Sequence, residues 1–441
     1  YVYDVAGRLV SMTGTDTSGS ITHVTTYDAQ GRVRDKQDEN GATRYAYDQD
    51  GNILAESRIE GGKLISQNRY TYTVDGRQER YRLFICALTV PASPADGWEL
   101  SAVDAAYAAD VSLLRQDLAY TYDNQARLVC AEDGVSGSVT RYTYDSEGAL
   151  AEKRAAQRTN GVEAPIYRQE YTYNPAGLVT GIREFAGSDT APCRVDTLTY
   201  RRDGNLVRKV SGDTTVEYAY DALGRLAAET EFSIGTQVRR DVYTYTAAGD
   251  RRTKTTTTGE DGTQRVSYGY DAGGRLISED WAQKGAGEAY DPLPEKAVTY
   301  TYDASGNLLT KTVGSGDDRV CVAAYTYDSL NRLSGAVSAS VREMPDLMDA
   351  GGVTLQQVKT QTVAFRYDAN AQRIGKTVTL GYAADGEDAA LTAEVRHVVN
   401  DTAAAYDLIT QDGSTRESSY LFGTKGADGA AQFEALYTGD T

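Results

Sequence analysis

The sequence predicts an all-β protein built from tandem antiparallel β-hairpins, and three observations lead to this prediction. A nine-residue pattern recurs along the chain: Tyr-x-Tyr-Asp, two variable residues, Gly, Arg and an aliphatic residue. Most copies lie 20 to 32 residues apart, which is enough for two strands and two turns. The composition is rich in Tyr (33) and Gly (43) and poor in Pro (8). Tyr suits a pleated strand, and regularly spaced Gly marks turns.

Each copy of the pattern reads as the end of one strand, a tight turn and the start of the next strand. In Tyr120-Thr121-Tyr122 both rings point to one face, because side chains alternate along a strand. Asp at the first position and Gly at the fourth are typical of a type I turn followed by a residue with positive φ. We therefore predict that Gly224 and Gly274 have φ > 0. We also expect Asp4 to pair with Arg8, and Asp221 with Arg225, across their turns.

The copies form a tandem array of fourteen units. Complete copies begin at Tyr1, Tyr45, Tyr120, Tyr142, Tyr218, Tyr268, Tyr300 and Tyr325, and weaker ones at Thr25, Tyr70, Tyr171, Leu198, Tyr243 and Phe365. The turn glycines are Gly7, Gly31, Gly51, Gly76, Gly148, Gly177, Gly204, Gly224, Gly249, Gly274 and Gly306, with Ala126, Asn331 and Ala371 in the other three units. The chain opens inside a repeat without an initiator Met, so we interpret it as a segment of a longer protein.

Two irregular segments interrupt the array, and the repeat pattern changes near the end of the chain. Residues 1–80 carry repeats, and residues 81–118 break the rhythm. Near-helical spacing of Leu100, Val103 and Tyr107 predicts an insertion with one helix, and a degenerate repeat is the alternative. Residues 119–377 resume the repeats, apart from an irregular segment at 341–362.

Residues 378–441 are predicted to be atypical strands. We expect an acidic loop at Ala383–Ala390. Three strands should follow at Val395–Asn400, Tyr406–Thr410 and Ser418–Phe422. The Gly- and Ala-rich end after residue 422 is expected to be weakly held.

The number of strands constrains the architecture. Two strands per unit give 28 strands, whereas open twisted sheets rarely exceed about 10 without curling, splitting or closing. We predict a continuous antiparallel sheet that coils as a spiral. A β-propeller is the alternative, since two units would make one four-stranded blade. Blades would show a doubled period, whereas successive units here look alike, so the spiral is favoured.

Charge and hydropathy exclude several classes of partner. The net charge of −18 argues against nucleic-acid binding, because phosphates would be repelled. The longest apolar run, Leu83 to Val90, is shorter than the ~20 residues of a membrane-spanning helix. The four cysteines are far apart, so we expect thiols and not a disulfide framework: Cys86, Cys130, Cys193 and Cys321.

The sequence offers no catalytic, cofactor-binding or metal-ligating residue that we would predict. The two histidines, His23 and His397, are too few for a His-based metal cluster, and we interpret both as structural. Phosphate-binding loops, nucleophile elbows and zinc-protease motifs are missing from the sequence. Each recurring residue has a structural role instead, so we predict a protein that is not an enzyme.

The unit Tyr218-Ala219-Tyr220-Asp221-Ala222-Leu223-Gly224-Arg225-Leu226 resembles the YD repeat of the RHS family. That family includes bacterial polymorphic toxins, wall-associated proteins, the BC shell of Tc toxins and the teneurins. The resemblance covers nearly the whole chain, and residues 399–423 resemble the segment before the family's core. The self-cleaving Asp-Pro-x-Gly signature of that core is missing, since Asp291-Pro292 is followed by Leu293-Pro294.

The resemblance implies a hollow β-shell segment that encloses or displays a C-terminal toxin of the same polypeptide. It also implies a secreted or cell-surface location. The alternative is an adhesin that binds carbohydrate or a cell-surface receptor through exposed Tyr rows. Buried Tyr is the simpler interpretation, and it predicts that Tyr122 and Tyr220 are core residues whose replacement by Ala costs about 3–5 kcal/mol each.

Overall fold

The computed structural model describes residues 1–16, 19–259, 262–285, 287, 289–338, 358–384, 387–400, 404–411, 414–422 and 433–440. The fold is all-β, and the strands of these residues form one open 33-stranded sheet. Most strands pair antiparallel with the next strand along the chain, as in β-hairpin ribbons. A single open sheet agrees with the predicted spiral of hairpin repeats and not with separate propeller blades.

The strands before residue 137 are β1 Val2–Tyr3, β2 Leu9–Asp16, β3 Gly19–Tyr27, β4 Val33–Asp38, β5 Gly41–Tyr47, β6 Ile53–Glu60, β7 Lys63–Tyr72, β8 Gln78–Thr89, β9 Leu114–Tyr122 and β10 Leu128–Asp133. A helix, α1 Trp98–Ala109, and a 3-10 turn at Val111–Leu113 connect β8 to β9.

The strands from residue 137 to residue 322 are β11 Ser138–Tyr144, β12 Leu150–Thr159, β13 Val162–Tyr173, β14 Val179–Ala186, β15 Arg194–Tyr200, β16 Leu206–Ser211, β17 Thr214–Tyr220, β18 Leu226–Ser233, β19 Thr236–Tyr245, β20 Arg251–Thr258, β21 Gly262–Tyr270, β22 Leu276–Lys284, β23 Tyr290–Pro292, β24 Val298–Tyr302 and β25 Leu308–Val313. Short 3-10 turns lie at Pro294–Lys296 and Gly316–Asp318.

The remaining strands are β26 Val320–Tyr327, β27 Leu333–Ser338, β28 Val358–Tyr367, β29 Arg373–Ala384, β30 Glu387–Asn400, β31 Ala404–Gln411, β32 Ser414–Phe422 and β33 Phe433–Asp440. The chain divides into two compact units, one formed by Tyr1–Ser136 with Ala323–Thr441 and the other by Gly137–Val322.

The structure changes several details of the predicted organisation. Within residues 81–118, the helix α1 occupies only the middle, and β8 and β9 flank it as strands of the sheet. The prediction of an acidic loop at Ala383–Ala390 is wrong. Strand β29 extends to Ala384 and pairs with β30, which begins at Glu387, so the two form a hairpin. The three later strands are confirmed and are longer than predicted. Most of the irregular segment, residues 341–357, and residues 423–432 lie outside the described residues.

Two hydrophobic clusters of buried residues lie between strands β6 and β10. The first contains Tyr70, Tyr81, Leu83, Leu118, Tyr120 and Ala131. The second contains Leu64, Phe84, Cys86 and Val103, and through Val103 it packs α1 against the sheet. Tyr122 is half-buried beside the first cluster, and Tyr220 is half-buried as well. The prediction of fully packed Tyr rows therefore holds for only part of the array.

The turn glycines all have the predicted left-handed conformation. Gly224 and Gly274 both have φ of 77°, which confirms the prediction, and the other turn glycines range from 78° to 100°. Ala126, Asn331 and Ala371 adopt the same conformation, with φ of 71°, 61° and 60°. An L-residue with a side chain is strained there, so these three turns carry a cost that glycine would relieve.

Replacing Ala126 with Gly is expected to raise the free energy of unfolding by about 1 kcal/mol, because the left-handed backbone then carries no Cβ penalty. Gly224→Ala is the matched reverse change, and a Cβ there meets nothing within 4 Å, so only the backbone is tested. It should lower the free energy by a similar amount. Urea unfolding of both variants checks this, and a loss of stability in Ala126→Gly would contradict the turn geometry.

Candidate functional site in the repeat wall

In most units of the array an aspartate at the first turn position closes the turn. In the Tyr218 unit, Asp221 Oδ1 accepts hydrogen bonds from the backbone N–H of Leu223 and of Arg225, both at 2.9 Å. Asp221 Oδ2 accepts from Arg225 Nε at 2.7 Å. Asp4 and Arg8 make the same contacts, so the predicted pairing of both Asp and Arg residues is confirmed. One side chain therefore caps the turn and holds the arginine in place.

The exposed turn carboxyls have a pKa below the usual range, because each accepts a backbone hydrogen bond from the arginine of its turn. The guanidinium of that arginine lowers the pKa further. These carboxyls are Asp4, Asp123, Asp221 and Asp271. In the related turn at Arg201, the guanidinium lowers the pKa of Asp203 to about 2.

Acid should weaken the array below about pH 4. A carboxyl whose folded pKa is depressed adds stability above its unfolded pKa, about 3.9 for Asp, and loses it as pH falls through the folded value. The urea midpoint is therefore expected to fall steadily from pH 4 to pH 2. Between pH 7 and pH 5 these carboxyls stay ionised, so that range is the control. A midpoint unchanged down to pH 2 would contradict the capping role.

In ten units the second Tyr connects its unit to the preceding one. Its hydroxyl donates to the carbonyl of the residue that follows the preceding turn, as in Tyr220 to Leu206 O at 2.7 Å and Tyr245 to Leu226 O at 2.6 Å. We call this series the tyrosine ladder. Its other members are Tyr27, Tyr47, Tyr72, Tyr122, Tyr173, Tyr270, Tyr302 and Tyr367.

The turn arginine reinforces the ladder by lying over the ring of the next unit. Arg225 lies 4.4 Å from the ring centroid of Tyr245, and Arg8 lies at the same distance from Tyr27. Arg225 thus contacts Asp221 in its own turn and an aromatic face in the next repeat. This second role of the arginine is not among the predictions from the sequence, although the regular spacing between Arg and the next Tyr is a signal for it.

The Tyr245 hydroxyl should contribute measurably to stability. Tyr245→Phe removes the bond to Leu226 O and is expected to cost about 1 kcal/mol. Tyr120→Phe is the matched control, because the Tyr120 hydroxyl is buried without a hydrogen-bond partner in the described part of the chain. Losing that hydroxyl should be neutral or stabilising. Equal losses in the two variants, measured by urea unfolding, would show that the ladder bonds contribute nothing.

A second set of contacts joins repeats that are far apart in the sequence but belong to the same compact unit. The turns after β26 and β28 contact β2, β4, β5 and the turn after β4. We call this contact, between residues 14–45 and 328–371, the seam. Asn370 Nδ2 donates to Tyr45 OH at 2.8 Å, and Lys36 Nζ donates to Asn370 Oδ1 at 2.6 Å.

Asp38 is the most deeply buried charged group of the seam. Its side chain is fully buried, and it accepts from Arg58 Nη1 at 2.7 Å and Nη2 at 3.1 Å. Asp38 Oδ2 also accepts from the backbone N–H of Ala369 at 3.0 Å. One carboxylate therefore neutralises the Arg58 side chain and binds the backbone of a distant turn.

Arg332, on the later side of the seam, makes three contacts that stabilise it. Its Nε donates to Asp328 at 2.6 Å in its own turn, and its Nη1 donates to the Asp368 carbonyl at 3.2 Å. Its Nη2 donates to Glu39 Oε1 at 3.1 Å. At Gly14, a Cβ would lie 2.5 Å from the Ser329 carbonyl oxygen. The two backbones can approach this closely because glycine has no side chain.

Among the residues that the structure describes, no group of His, Cys, Asp and Glu is arranged to hold a metal ion. His23 lies buried on β3, and His397 lies on β30. All four cysteines are thiols, with Cys86 and Cys130 buried and Cys193 and Cys321 exposed. In the part of the chain that is described, helices are too short and too polar to cross a membrane.

Family models match two parts of the chain. Residues 105–285 match the teneurin YD-shell, and residues 27–63 match the RHS repeat. The resemblance to the RHS/YD-repeat family is confirmed by these matches and by curated relatives of the Rhs type.

Two relatives show how much of a longer protein this chain covers. Double-stranded DNA deaminase toxin A of Burkholderia cenocepacia (strain H111) is 27% identical over 458 residues, which are 90% of this chain and 29% of that protein. The probable deoxyribonuclease RhsB of Dickeya dadantii (strain 3937) is 26% identical over 228 residues, which are 50% of this chain and 13% of that protein. The chain thus spans less than a third of either relative.

Among solved structures, a porin-like protein from Bacteroides uniformis ATCC 8492 aligns with a TM-score of 0.27 and 11% identity, over 60% of this chain and 97% of that chain.

Proposed function

We propose that this chain, which matches the YD-shell and RHS-repeat models of the RHS/YD-repeat family, is a non-catalytic wall segment. The wall encloses or displays a C-terminal toxin of the same polypeptide. The protein is secreted or exposed at the cell surface, and its main partner is that toxin or core segment.

The tyrosine ladder is the observation that carries this proposal. The Tyr hydroxyl, the Asp carboxylate and the Arg guanidinium of a unit are bonded within the array, so they are not available to act on a substrate. Such a set of residues builds a continuous surface. The relatives named as a deaminase toxin and a probable deoxyribonuclease support the presence of a toxin elsewhere in a longer polypeptide.

The adhesin alternative, with a glycan or receptor as partner, needs exposed aromatic rows. Among the residues that the structure describes, Tyr1 and Tyr3 are exposed, while the Tyr residues of the ladder are half-buried and donate hydrogen bonds to carbonyls. This arrangement favours the wall over the adhesin. Micromolar binding on a glycan array, lost when Tyr1 and Tyr3 are replaced by Ala, would reverse that preference.

Protease protection of the natural full-length polypeptide tests enclosure. Arg332→Gln removes the contacts to Asp328, Asp368 and Glu39 at the seam, and Arg225→Gln is the matched control in a turn outside the seam. We expect the C-terminal region to resist trypsin in the wild type and in Arg225→Gln, and to be cut faster in Arg332→Gln. A C-terminal region cut equally fast in all three would refute enclosure by this wall.

A catalytic role for the repeat region is tested separately. The purified 441 residues should show no deaminase or nuclease activity on single- or double-stranded DNA, and none on glycan, peptide or ester panels. Activity that survives removal of contaminating nucleases would overturn the non-catalytic assignment.

A further inference from the structure

A small cavity with a mostly charged lining lies on one face of strands β18, β19 and β20. Its volume is ≈ 230 Å³, which is below the about 300–1,000 Å³ of sites for drug-sized ligands. Residues opposite each other on paired strands point to the same face, and the pairing sets two glutamates of β18 against Asp241 and Arg239 of β19. Three carboxylates, two cations and one phenol line the cavity: Glu229, Glu231, Asp241, Arg239, Lys254 and Tyr243.

Asp241 is satisfied within this lining. The residue is 3% exposed, and its Oδ2 accepts from Arg239 Nη2 at 2.9 Å and lies 3.3 Å from Lys254 Nζ. Its Oδ1 accepts from Thr256 Oγ1 at 2.6 Å. The two cations of the cavity are therefore both engaged by one buried carboxylate.

Glu229 and Glu231 are half-buried beside this cluster and lack such partners. Neither carboxylate forms a hydrogen bond or an ion pair with another residue in the described part of the chain. Withdrawing a carboxylate from water without a compensating partner costs free energy. Two such groups at the edge of a cavity are therefore expected to attract a positively charged group from outside the chain.

The repeat array contains a matched cluster two units earlier. Asp196 on β15 binds Arg194 at 3.0 Å and lies 3.4 Å from Lys209 Nζ, which repeats the geometry around Asp241. The combination of one buried aspartate with two cations is thus a structural device of the repeat. It does not depend on the two glutamates.

The earlier cluster differs in the residues that stand opposite it on β14. Ile182 lies opposite Asp196, at the position that Glu229 takes opposite Asp241. Glu184 lies opposite the arginine, and it accepts a hydrogen bond from Gln169 Nε2 at 2.9 Å. The unpaired carboxylates are therefore specific to the later cluster, where the fold does not require them.

We propose that the cavity binds a primary ammonium group carried on a short alkyl chain. Glu229 and Glu231 are two residues apart on one strand, about 6.6 Å along it, and both face the cavity. An ammonium group has three N–H donors that point in different directions, so it can bond to both carboxylates. A guanidinium group instead matches the two oxygens of one carboxylate. The site does not depend on what the wall encloses.

Saturation-transfer NMR on the purified 441 residues tests the site. The probe is Nα-acetyl-lysine methylamide, and Nα-acetyl-norleucine methylamide is the control because it lacks the ammonium group. We expect a signal from the lysine probe and none from the norleucine control. Equal signals from the two, or no signal from the lysine probe, would overturn the proposal.

Cadaverine distinguishes the two sources of an ammonium group. Tighter binding of cadaverine than of the blocked lysine indicates a free amine as the ligand. Tighter binding of the blocked lysine indicates a lysine side chain of a polypeptide.

Glutamine replacements locate the binding. Glu229→Gln and Glu231→Gln should each weaken binding about fivefold, the size of one partly exposed ion pair, and the double change should abolish it. Glu184→Gln is the matched control in the earlier cluster and should leave binding unchanged. The double variant should unfold at the same urea concentration as the wild type or at a higher one. Binding that persists in the double variant, or a lower urea midpoint, would contradict a ligand role for these carboxylates.

Discussion

Replacing Arg58 with Ala is expected to lower the free energy of unfolding by about 3–5 kcal/mol, one of the two largest single-residue losses in this fold. The change leaves the fully buried Asp38 carboxylate without its guanidinium partner. Removing one member of a buried ion pair costs that much because the remaining charge is unpaired in a medium of low polarity. Urea unfolding with circular dichroism detection measures the loss.

Two variants separate this effect from simple truncation. Arg225→Ala removes a more exposed ion pair, which water and salt screen, and should cost clearly less than Arg58→Ala. The double change Arg58→Met with Asp38→Leu removes both charges and should cost less than Arg58→Ala alone. A double variant less stable than Arg58→Ala would show that the pair itself, and not its desolvation, dominates.

Tyr81→Ala should have a loss of similar size, about 3–5 kcal/mol, since the side chain is 0% exposed and lies in the first cluster. Its ring lies 5.6 Å from Tyr70, and its hydroxyl donates to Asn68 Oδ1 at 3.0 Å. The variant loses apolar burial and leaves a cavity. Because repeat arrays unfold locally, the loss should appear in hydrogen exchange of β7 to β9 before it appears in distant strands.

Tyr220→Ala is the matched comparison for Tyr81→Ala. Tyr220 is half-buried, so its replacement should cost clearly less than the 3–5 kcal/mol predicted from the sequence pattern. Tyr122→Ala should lie between the two, because Tyr122 packs against the first cluster. Equal urea midpoints for Tyr81→Ala and wild type would contradict the assigned core.

The repeat fold could be predicted from the sequence because its signals are local. Asp at the first turn position and Gly at the fourth determine the turn, and Gly224 has the conformation that this chemistry requires. Alternation of Tyr218 and Tyr220 determines the face of the strand, and the order of hairpins along the chain determines the pairing.

The seam could not be predicted because its partners lie far apart in the sequence. Nothing near Asp38 in the chain indicates that Ala369 will donate to it, or that Arg332 will reach Glu39. The acidic residues around Glu387 predict a loop from the sequence alone, because charge usually marks exposed turns. Its strand is long because it pairs with β29 along most of its length.

The most direct test of this account is a distance measurement across the seam. Cysteines replacing Lys36 and Asn370, in a background with Cys193→Ser and Cys321→Ser, place two thiols where the Lys36 and Asn370 side chains are bonded at 2.6 Å. We expect a short bis-maleimide to join the two positions within the folded monomer, and 6 M urea to abolish the reaction. Cysteines that react singly and never join in the folded monomer would contradict a ribbon whose late repeats contact its early ones.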